Sequence, residues 1–429
     1  MSTFDLKIDD FAKIEGKASL TVHIQDDKIE NLQFAITEFK RFYTQALRGK
    51  DIMGLPQLCC RICGTCSNAH LLCAIKASEQ ALGISPTVQT ILLRKLLNYG
   101  LIIRDHALHC YVFSLPDVLG IDNILELDEN IPEQRQILED TFAVKAVGNN
   151  LGKLIGGKSV HAPYPTIGGF VRFPDVKEFP AMIEQLKSIR PAVMRLITQF
   201  EHHSFSLLRD SDHMTLMNND YSFLDGSILR TGGEEINDQD YGNFLEHIVI
   251  PYSHSSGYSF KGTIHMTGAL ARLNLAKEKL HPNTKKDAAS ALNLFPSKNI
   301  FHNNLAQAIE ILHAIDSSVE ILQSLQITPE KPIPIVKKAG IGIGVIEAPR
   351  GLLFYKLVLN EKGTIEDIQI VVPTGQNQID IEKSIFQYLT ENMQKDKEIL
   401  KAEIEKIVRS YDPCMSCASH FLKIKWNEV

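Results

Sequence analysis

Eight cysteines in a chain of 429 residues fall mostly into two clusters, one near each end. The first cluster reads Arg61-Ile62-Cys63-Gly64-Thr65-Cys66-Ser67-Asn68-Ala69-His70. The second reads Asp412-Pro413-Cys414-Met415-Ser416-Cys417-Ala418-Ser419-His420. A Cys-x-x-Cys pair brings two thiolates close enough to chelate one soft metal ion. Four thiolates suit tetrahedral zinc, an iron–sulfur cluster or nickel. Cys66 is expected near a helix start, where the dipole helps ionise it. Zinc ribbons place their pairs ~15 to 20 residues apart, not at opposite ends of a long chain, which disfavours structural zinc. The local spacing matches no ferredoxin pattern, which disfavours iron–sulfur ligation by these four. Disulfides are the weaker reading, because a disulfide framework spreads cysteines through a small secreted chain. Cys59, Cys60, Cys73 and Cys110 fit no ligand spacing and read as buried or structural.

The rest of the chain must bring the two clusters together. Forty-five Lys+Arg against 51 Asp+Glu give a net charge of −6, the wrong sign for a nucleic-acid footprint. With 44% apolar and 22% charged residues the composition is that of a globular protein. No apolar run reaches the ~18 to 20 residues of a membrane span, and the N-terminus has no basic-then-apolar signal pattern, so a soluble chain without its own export signal is expected. Leu20, Val22 and Ile24 alternate on one face, Leu32, Phe34 and Ile36 on another, and Asp26-Asp27-Lys28 turns between them, predicting a hairpin in an N-terminal β region over 1–40. Ser85-Pro86 reads as an N-cap with proline at the first helical position. It opens a helix with Val88, Leu92, Leu96 and Tyr99 in phase that runs beyond residue 110. Further helices are predicted near 129–154, 176–210 and 301–326, the last striped by Leu305, Ile309, Leu312, Ile315, Val319 and Leu322. Two strands over 351–360 and 364–372 flank a turn at Asn360-Glu361-Lys362-Gly363. One amphipathic helix over 380–408 then leads to the second cluster. Residues 211–300 are polar, lack a period and read as a loop-rich insertion. The expected fold is α+β and mainly helical, with long central helices, small peripheral sheets and a single domain over 1–429.

Arg-x-Cys-Gly-x-Cys-x-x-x-His early and Asp-Pro-Cys-x-x-Cys-x-x-His late resemble, at every fixed position, the large catalytic subunit of a nickel–iron hydrogenase. Lys13-Ile14-Glu15-Gly16-Lys17, the run Arg104 to Tyr111 with Leu115-Pro116-Asp117, Gly156 to His161 with Gly168-Gly169, Glu347-Ala348-Pro349-Arg350-Gly351 and Pro373-Thr374-Gly375-Gln376-Asn377 extend the resemblance over most of the chain. Splitting H2 heterolytically needs a Lewis acid and a base within reach of the proton. The resemblance implies that Cys63 and Cys414 bind nickel terminally. Cys66 and Cys417 would bridge nickel to an iron carrying one CO and two cyanides. Arg350, following Pro349, would face a cyanide and the open metal site, and Thr374 would donate to the second cyanide. Asp105 and Asp412 would hold Arg350, His70 would tune Cys66 through an N–H···S contact, and Glu15 would be the first proton relay. Taken alone, His106 and His109 read as core histidines, and His202-His203 as a solvated or packed helix pair.

Several features depart from the family pattern or lie beyond it. The glutamate that helps bind magnesium in many relatives, together with the C-terminal histidine (here His420), falls at Thr44, which puts that ion in question. Lys13 and Lys17 replace an arginine and a histidine around Glu15. Residues 421–429 follow His420 where relatives carry a peptide removed by a maturation endopeptidase. Cleavage is the preferred reading, and Trp426, the one tryptophan, reports it. Too few spare cysteines remain to wire electrons away, so the resemblance implies an Fe–S small subunit, with a diaphorase-type or membrane module as a further partner. Maturation factors would insert the metals. The cytoplasm is the preferred location, with export beside a signal-bearing small subunit as the other route. Two other readings stand beside the enzyme: an H2 sensor of low turnover, and a non-catalytic scaffold like the quinone-site subunit of respiratory complex I.

Overall fold

A computed structural model describes residues 3–221 and 223–419. The expected ligand His420 and the expected cleavage of 421–429 lie outside the described residues. The N-terminal hairpin is Ala18–Gln25 against Lys28–Ile36, with Phe4–Ile8 added antiparallel at its edge. Alternation buries Leu20, Val22, Ile24, Phe34 and Ile36 completely. The link between Phe4–Ile8 and Ala18–Gln25 carries Glu15.

Four long helices, Val88–Ala107, Pro132–Gly156, Phe179–Glu201 and His302–Ser324, form the centre, each packed on two of the others in a closed ring. The striped residues Leu305, Ile309, Leu312, Ile315 and Leu322 of the last helix are all buried. The first of the four begins later than Ser85-Pro86 predicts. Thr87 is the N-cap, its Oγ1 accepting from the Thr90 N–H at 3.1 Å, and Pro86 precedes the cap. The same helix continues past residue 110, widening to a π-helical stretch over Leu108–Ser114 before Leu115–Leu119. Widened stretches of this kind gather at functional sites. At Gly148 a Cβ would lie 2.6 Å from the Arg104 backbone nitrogen, so only glycine lets the Pro132–Gly156 helix approach the turn bearing Arg104 and Asp105.

Strands Gly340–Ala348, Gly351–Leu359 and Ile365–Val371 form an antiparallel sheet. The last two are the expected hairpin, and the first is an addition. It packs on the Ser67–Leu82 helix, and a Cβ at Gly342 would overlap the Ala77 carbonyl oxygen. The alternating glycines thus let a helix lie flat on a strand, and that helix has Cys66 as its N-cap.

Two further expectations are corrected. The single helix over 380–408 is two, Pro373–Asn392 and Lys397–Ser410. The second starts where the Asp396 side chain accepts from the Glu398 N–H at 2.9 Å. Residues 211–300 are not mainly loop. Asp212–Met217, Ser227–Arg230 and Glu235–Asn237 join His265–Met266 in one sheet, Leu245–Val249 pairs with Ser256–Phe260, and the helix Ala269–Ala276 follows. These pieces bury Met214, Leu216, Ile228, Tyr241 and Phe260 against Val345 and Phe354. Strands this short do not register as a period. Among the described residues no helix is long and apolar enough to cross a membrane.

Candidate metal centre

The Lys397–Ser410 helix delivers the second cluster to the first. Asp412 turns the chain with a φ of 49°, and Cys414 then lies beside Glu15 in an isolated parallel bridge. The Met415 N–H donates to the Glu15 carbonyl at 2.8 Å. The Sγ atoms of Cys63 and Cys414 are 3.4 Å apart, those of Cys66 and Cys417 3.2 Å, and those of Cys414 and Cys417 3.1 Å. All four buried sulfurs lie within 4.8 Å of one another. Bonds of ~2.3 Å from sulfur to a central soft ion fit such separations. Hydrogen bonds from Cys414, Cys417 and Cys66 pull the Cys63 thiol well below its usual range. Burial, in contrast, holds Cys414 and Cys417 well above theirs. Thiols buried this deeply resist ionisation in the absence of a cation, and a soft metal ion at their centre would favour the thiolate form.

Glu15 is half-buried and reaches this cluster directly. Its Oε2 accepts from Cys414 Sγ at 3.0 Å and from the Ser416 N–H at 3.1 Å, and its Oε1 accepts from Ser416 Oγ at 2.6 Å. Burial first, then the negative charge on Cys63, raises its pKa above the ordinary carboxylate value. Lys13 does not neutralise it, since its Nζ pairs with Asp117 at 2.8 Å.

On the opposite side, Arg350 Nη1 donates to Asp105 at 2.6 Å and Nη2 pairs with Asp412 at 2.9 Å, all three nearly inaccessible. Arg350 Nε and Asp105 Oδ1 are buried with no hydrogen-bond partner among the described residues. A small cavity separates Cys66, Cys414 and Cys417 from Ala348, Pro349, Leu353 and Pro373, with His70, Arg350 and Thr374 as its polar lining. Thr374 Oγ1 accepts from the Cys414 N–H at 2.9 Å, leaving its own hydrogen free to donate. A largely apolar recess with two spare donors beside three sulfurs fits small diatomic ligands on a metal.

His70 is also brought in, but it faces Cys417 at 3.5 Å rather than Cys66. It sits one helical turn beyond Cys66, and its ring reaches across to the other motif. Its Nδ1 bonds the Tyr355 hydroxyl at 2.8 Å, and burial drives its pKa down to about 4. Arg104 turns from Asp105 to the carbonyls of Ser159 and Thr65. His106 and His109 are buried, His106 on Glu310 and His109 between Gln307 and the Arg409 carbonyl. Of the two residues expected at a magnesium ion, Thr44 offers no carboxylate and His420 lies outside the described residues, while nearby Arg41 donates to the Ser416 carbonyl at 2.6 Å.

Sequence reasoning missed Thr65, whose hydroxyl is 3.1 Å from Cys63 Sγ, and Gln307, whose Nε2 donates to Asp412 at 2.8 Å. It also missed Ser416 as the partner of Glu15. Thr65 and Ser416 occupy the variable positions of the two motifs, where a hydroxyl beside a thiolate is a readable signal. Gln307 is a fully buried amide on a helix face that also buries Asn303, Asn304 and Glu310, a polar run at helical spacing inside an apolar core.

Comparison with known proteins converges on one family. The profile of the family described as nickel-dependent hydrogenase matches residues 41–153 and 242–420. The chain is 30% identical over 426 residues to the sulfhydrogenase 1 subunit alpha of Pyrococcus furiosus, covering 98% of each chain. It is 26% identical to the NAD-reducing hydrogenase HoxS subunit beta of Cupriavidus necator, over 97% of this chain and 95% of that one. In fold it resembles an NAD+-reducing [NiFe]-hydrogenase solved in the H2-reduced state, with a TM-score of 0.83 at 22% identity over 98% of this chain and 100% of the other. Four converging thiols, a carboxyl at one of them and a matching profile over most of the sequence lead to one conclusion: this chain belongs to the nickel-dependent hydrogenase family, as a catalytic subunit acting on H2.

Proposed function

We propose that Cys63, Cys66, Cys414 and Cys417 hold a nickel–iron group whose iron carries CO and cyanide, and that Glu15 is the first proton relay, taking over at Cys414 Sγ the proton released from H2. The observation that carries this reading is the Glu15 carboxylate 3.0 Å from Cys414 Sγ at the edge of the four-sulfur cluster. When bound, such a group supplies the Lewis acid that polarises H2 and accepts its electron pair. Glu15 Oε2 receives the proton at Cys414 Sγ, and Ser416 Oγ on its other oxygen orients the carboxyl. Arg350, pinned by Asp105 and Asp412, keeps a fixed positive charge at the recess, and Pro349, Leu353 and Pro373 keep water from it. Arg350 Nε and the Thr374 hydroxyl are the donors for the two cyanides.

The chain has a partner subunit, as the alpha and beta subunit names of its relatives imply. We read it as an Fe–S protein, because Cys59, Cys60, Cys73 and Cys110 are buried and, among the described residues, join no second ligand group. A diaphorase-type module, maturation factors, cleavage after His420, one domain over the whole chain and a cytoplasmic location belong to the same reading. The main apolar cluster running from Leu6 to Ala418 supports a single domain. The scaffold alternative gives no use to four converging thiols, and neither it nor the sensor reading is favoured. An infrared spectrum of the complex from its native host tests the proposal. One CO band with two cyanide bands is expected. Stoichiometric zinc without those bands would overturn it.

A further inference from the structure

Arg272, on the Ala269–Ala276 helix, is fully buried and uses every donor it has. Its Nε and Nη2 grip Glu310 at 2.6 and 2.7 Å, and its Nη1 donates to Glu347 at 2.7 Å. The remaining hydrogens go to the Ala348 carbonyl at 3.2 Å and the Pro349 carbonyl at 2.9 Å. Those carbonyls belong to the two residues directly before Arg350, and both residues line the recess. The carboxylates are anchored in turn. Glu347 accepts from Thr215 Oγ1 and the Leu216 N–H, and Glu310 from the Tyr221 hydroxyl and His106, the neighbour of Asp105. One buried ionic knot therefore joins the helix carrying Asp105 to the turn carrying Arg350.

We propose that Arg272 is a positioning residue for the reaction, fixing through the Ala348 and Pro349 carbonyls the depth at which Arg350 and Pro349 enter the recess. The role rests on the nickel–iron reading above. A bland alternative is that Arg272 only neutralises two buried carboxylates. The two differ in the carbonyl contacts, because a planar guanidinium serves four acceptor groups at once and an ammonium cannot.

The experiment compares infrared spectra of the wild-type complex with Arg272→Lys and Glu310→Gln, alongside nickel content and H2-oxidation kinetics. Arg272→Lys keeps the charge and loses the carbonyl grip. Its CO and cyanide bands shift and broaden, and kcat falls about 10- to 100-fold with KM for H2 within about twofold, as expected when only the geometry of the reacting centre is disturbed. Glu310→Gln keeps the carbonyl grip, and its bands stay at wild-type positions even where stability drops. Should Arg272→Lys not accumulate, the charge-balanced set Arg272→Met, Glu310→Gln and Glu347→Gln replaces it, since neutralising a whole buried ionic group is tolerated better than halving it. Wild-type bands in a nickel-loaded Arg272 variant, or equal shifts in Glu310→Gln, overturn the role. Absence of the bands from the wild-type complex would instead overturn the site reading itself.

Discussion

Glu15 Oε2 and Cys414 Sγ are hydrogen-bonded at 3.0 Å although 399 residues separate them in sequence. The contact is held by backbone as well, through the Met415 N–H on the Glu15 carbonyl at 2.8 Å. The backbone of Glu15 is thereby tied to the C-terminal motif, and the Ser416 N–H and hydroxyl hold its carboxyl towards the sulfur at 3.1 and 2.6 Å. The proposed proton relay and a proposed metal ligand thus share one backbone bridge.

Replacing Glu15 by glutamine keeps the shape but removes the carboxylate proposed to relay the proton. H2 oxidation should fall by about 10²- to 10⁴-fold, the usual worth of a positioned proton-transfer side chain. Nickel content and infrared bands should stay near wild type. An active Glu15→Gln enzyme would show that protons leave by another route.

Thr374→Val removes the acceptor of the buried Cys414 N–H. A buried donor left unpaired costs about 1–3 kcal/mol, which thermal unfolding of the metal-free chain should register. The cyanide pattern of the loaded complex should move as well, since the hydroxyl donor is lost.

Acid should weaken the fold well before carboxylates titrate. His313 Nδ1 accepts from the His281 N–H at 3.0 Å and Nε2 donates to the Tyr221 carbonyl at 2.9 Å, a pattern only the neutral ring can make. Burial pushes its pKa from 6.5 down to about 4. Below pH 6.5 the unfolded chain binds a proton that the folded chain refuses, so stability falls as pH drops from 6.5 towards 4, by roughly 3 kcal/mol at ~1.4 kcal/mol per unit. His313→Gln should flatten that slope in pH-dependent denaturant titrations.

Gly342→Ala would drive a methyl into the Ala77 carbonyl. Overpacking of this kind costs about 1–3 kcal/mol. Because the displaced helix has Cys66 as its N-cap, nickel content should fall too. Gly54→Ala, whose Cβ would meet only Leu58 at 3.9 Å, should stay within about 0.5 kcal/mol of wild type and serves as the control.

What the sequence discloses and what it hides follow one physical line. The four cysteines, Arg350 and Asp412 sit in contiguous motifs, so residue type and spacing along the chain are enough to mark them. The His302–Ser324 stripe and the N-terminal hairpin are equally plain, because each has enough turns or alternations to show a period. The short strands of 211–300 do not: His265–Met266 is two residues and pairs in parallel with Asp212–Met217 from far upstream. The break at Asp396 is invisible to amphipathicity, since both flanking helices keep an apolar face. Arg272 is hidden for a different reason. Its meaning lies wholly in five contacts made by folding, and nothing around it in the sequence marks it.

The two sulfur pairs that cross between the motifs, Cys63 with Cys414 and Cys66 with Cys417, each join residues 351 positions apart. An ion shared by those sulfurs is therefore also a cross-link that closes nearly the whole polypeptide into a ring. By the chain-entropy treatment used for disulfides, a loop of that size removes on the order of 5–6 kcal/mol of freedom from the unfolded chain. The metal that makes this subunit an enzyme would thus also be its clasp, and the long stretch between the two motifs could not open wide without giving it up.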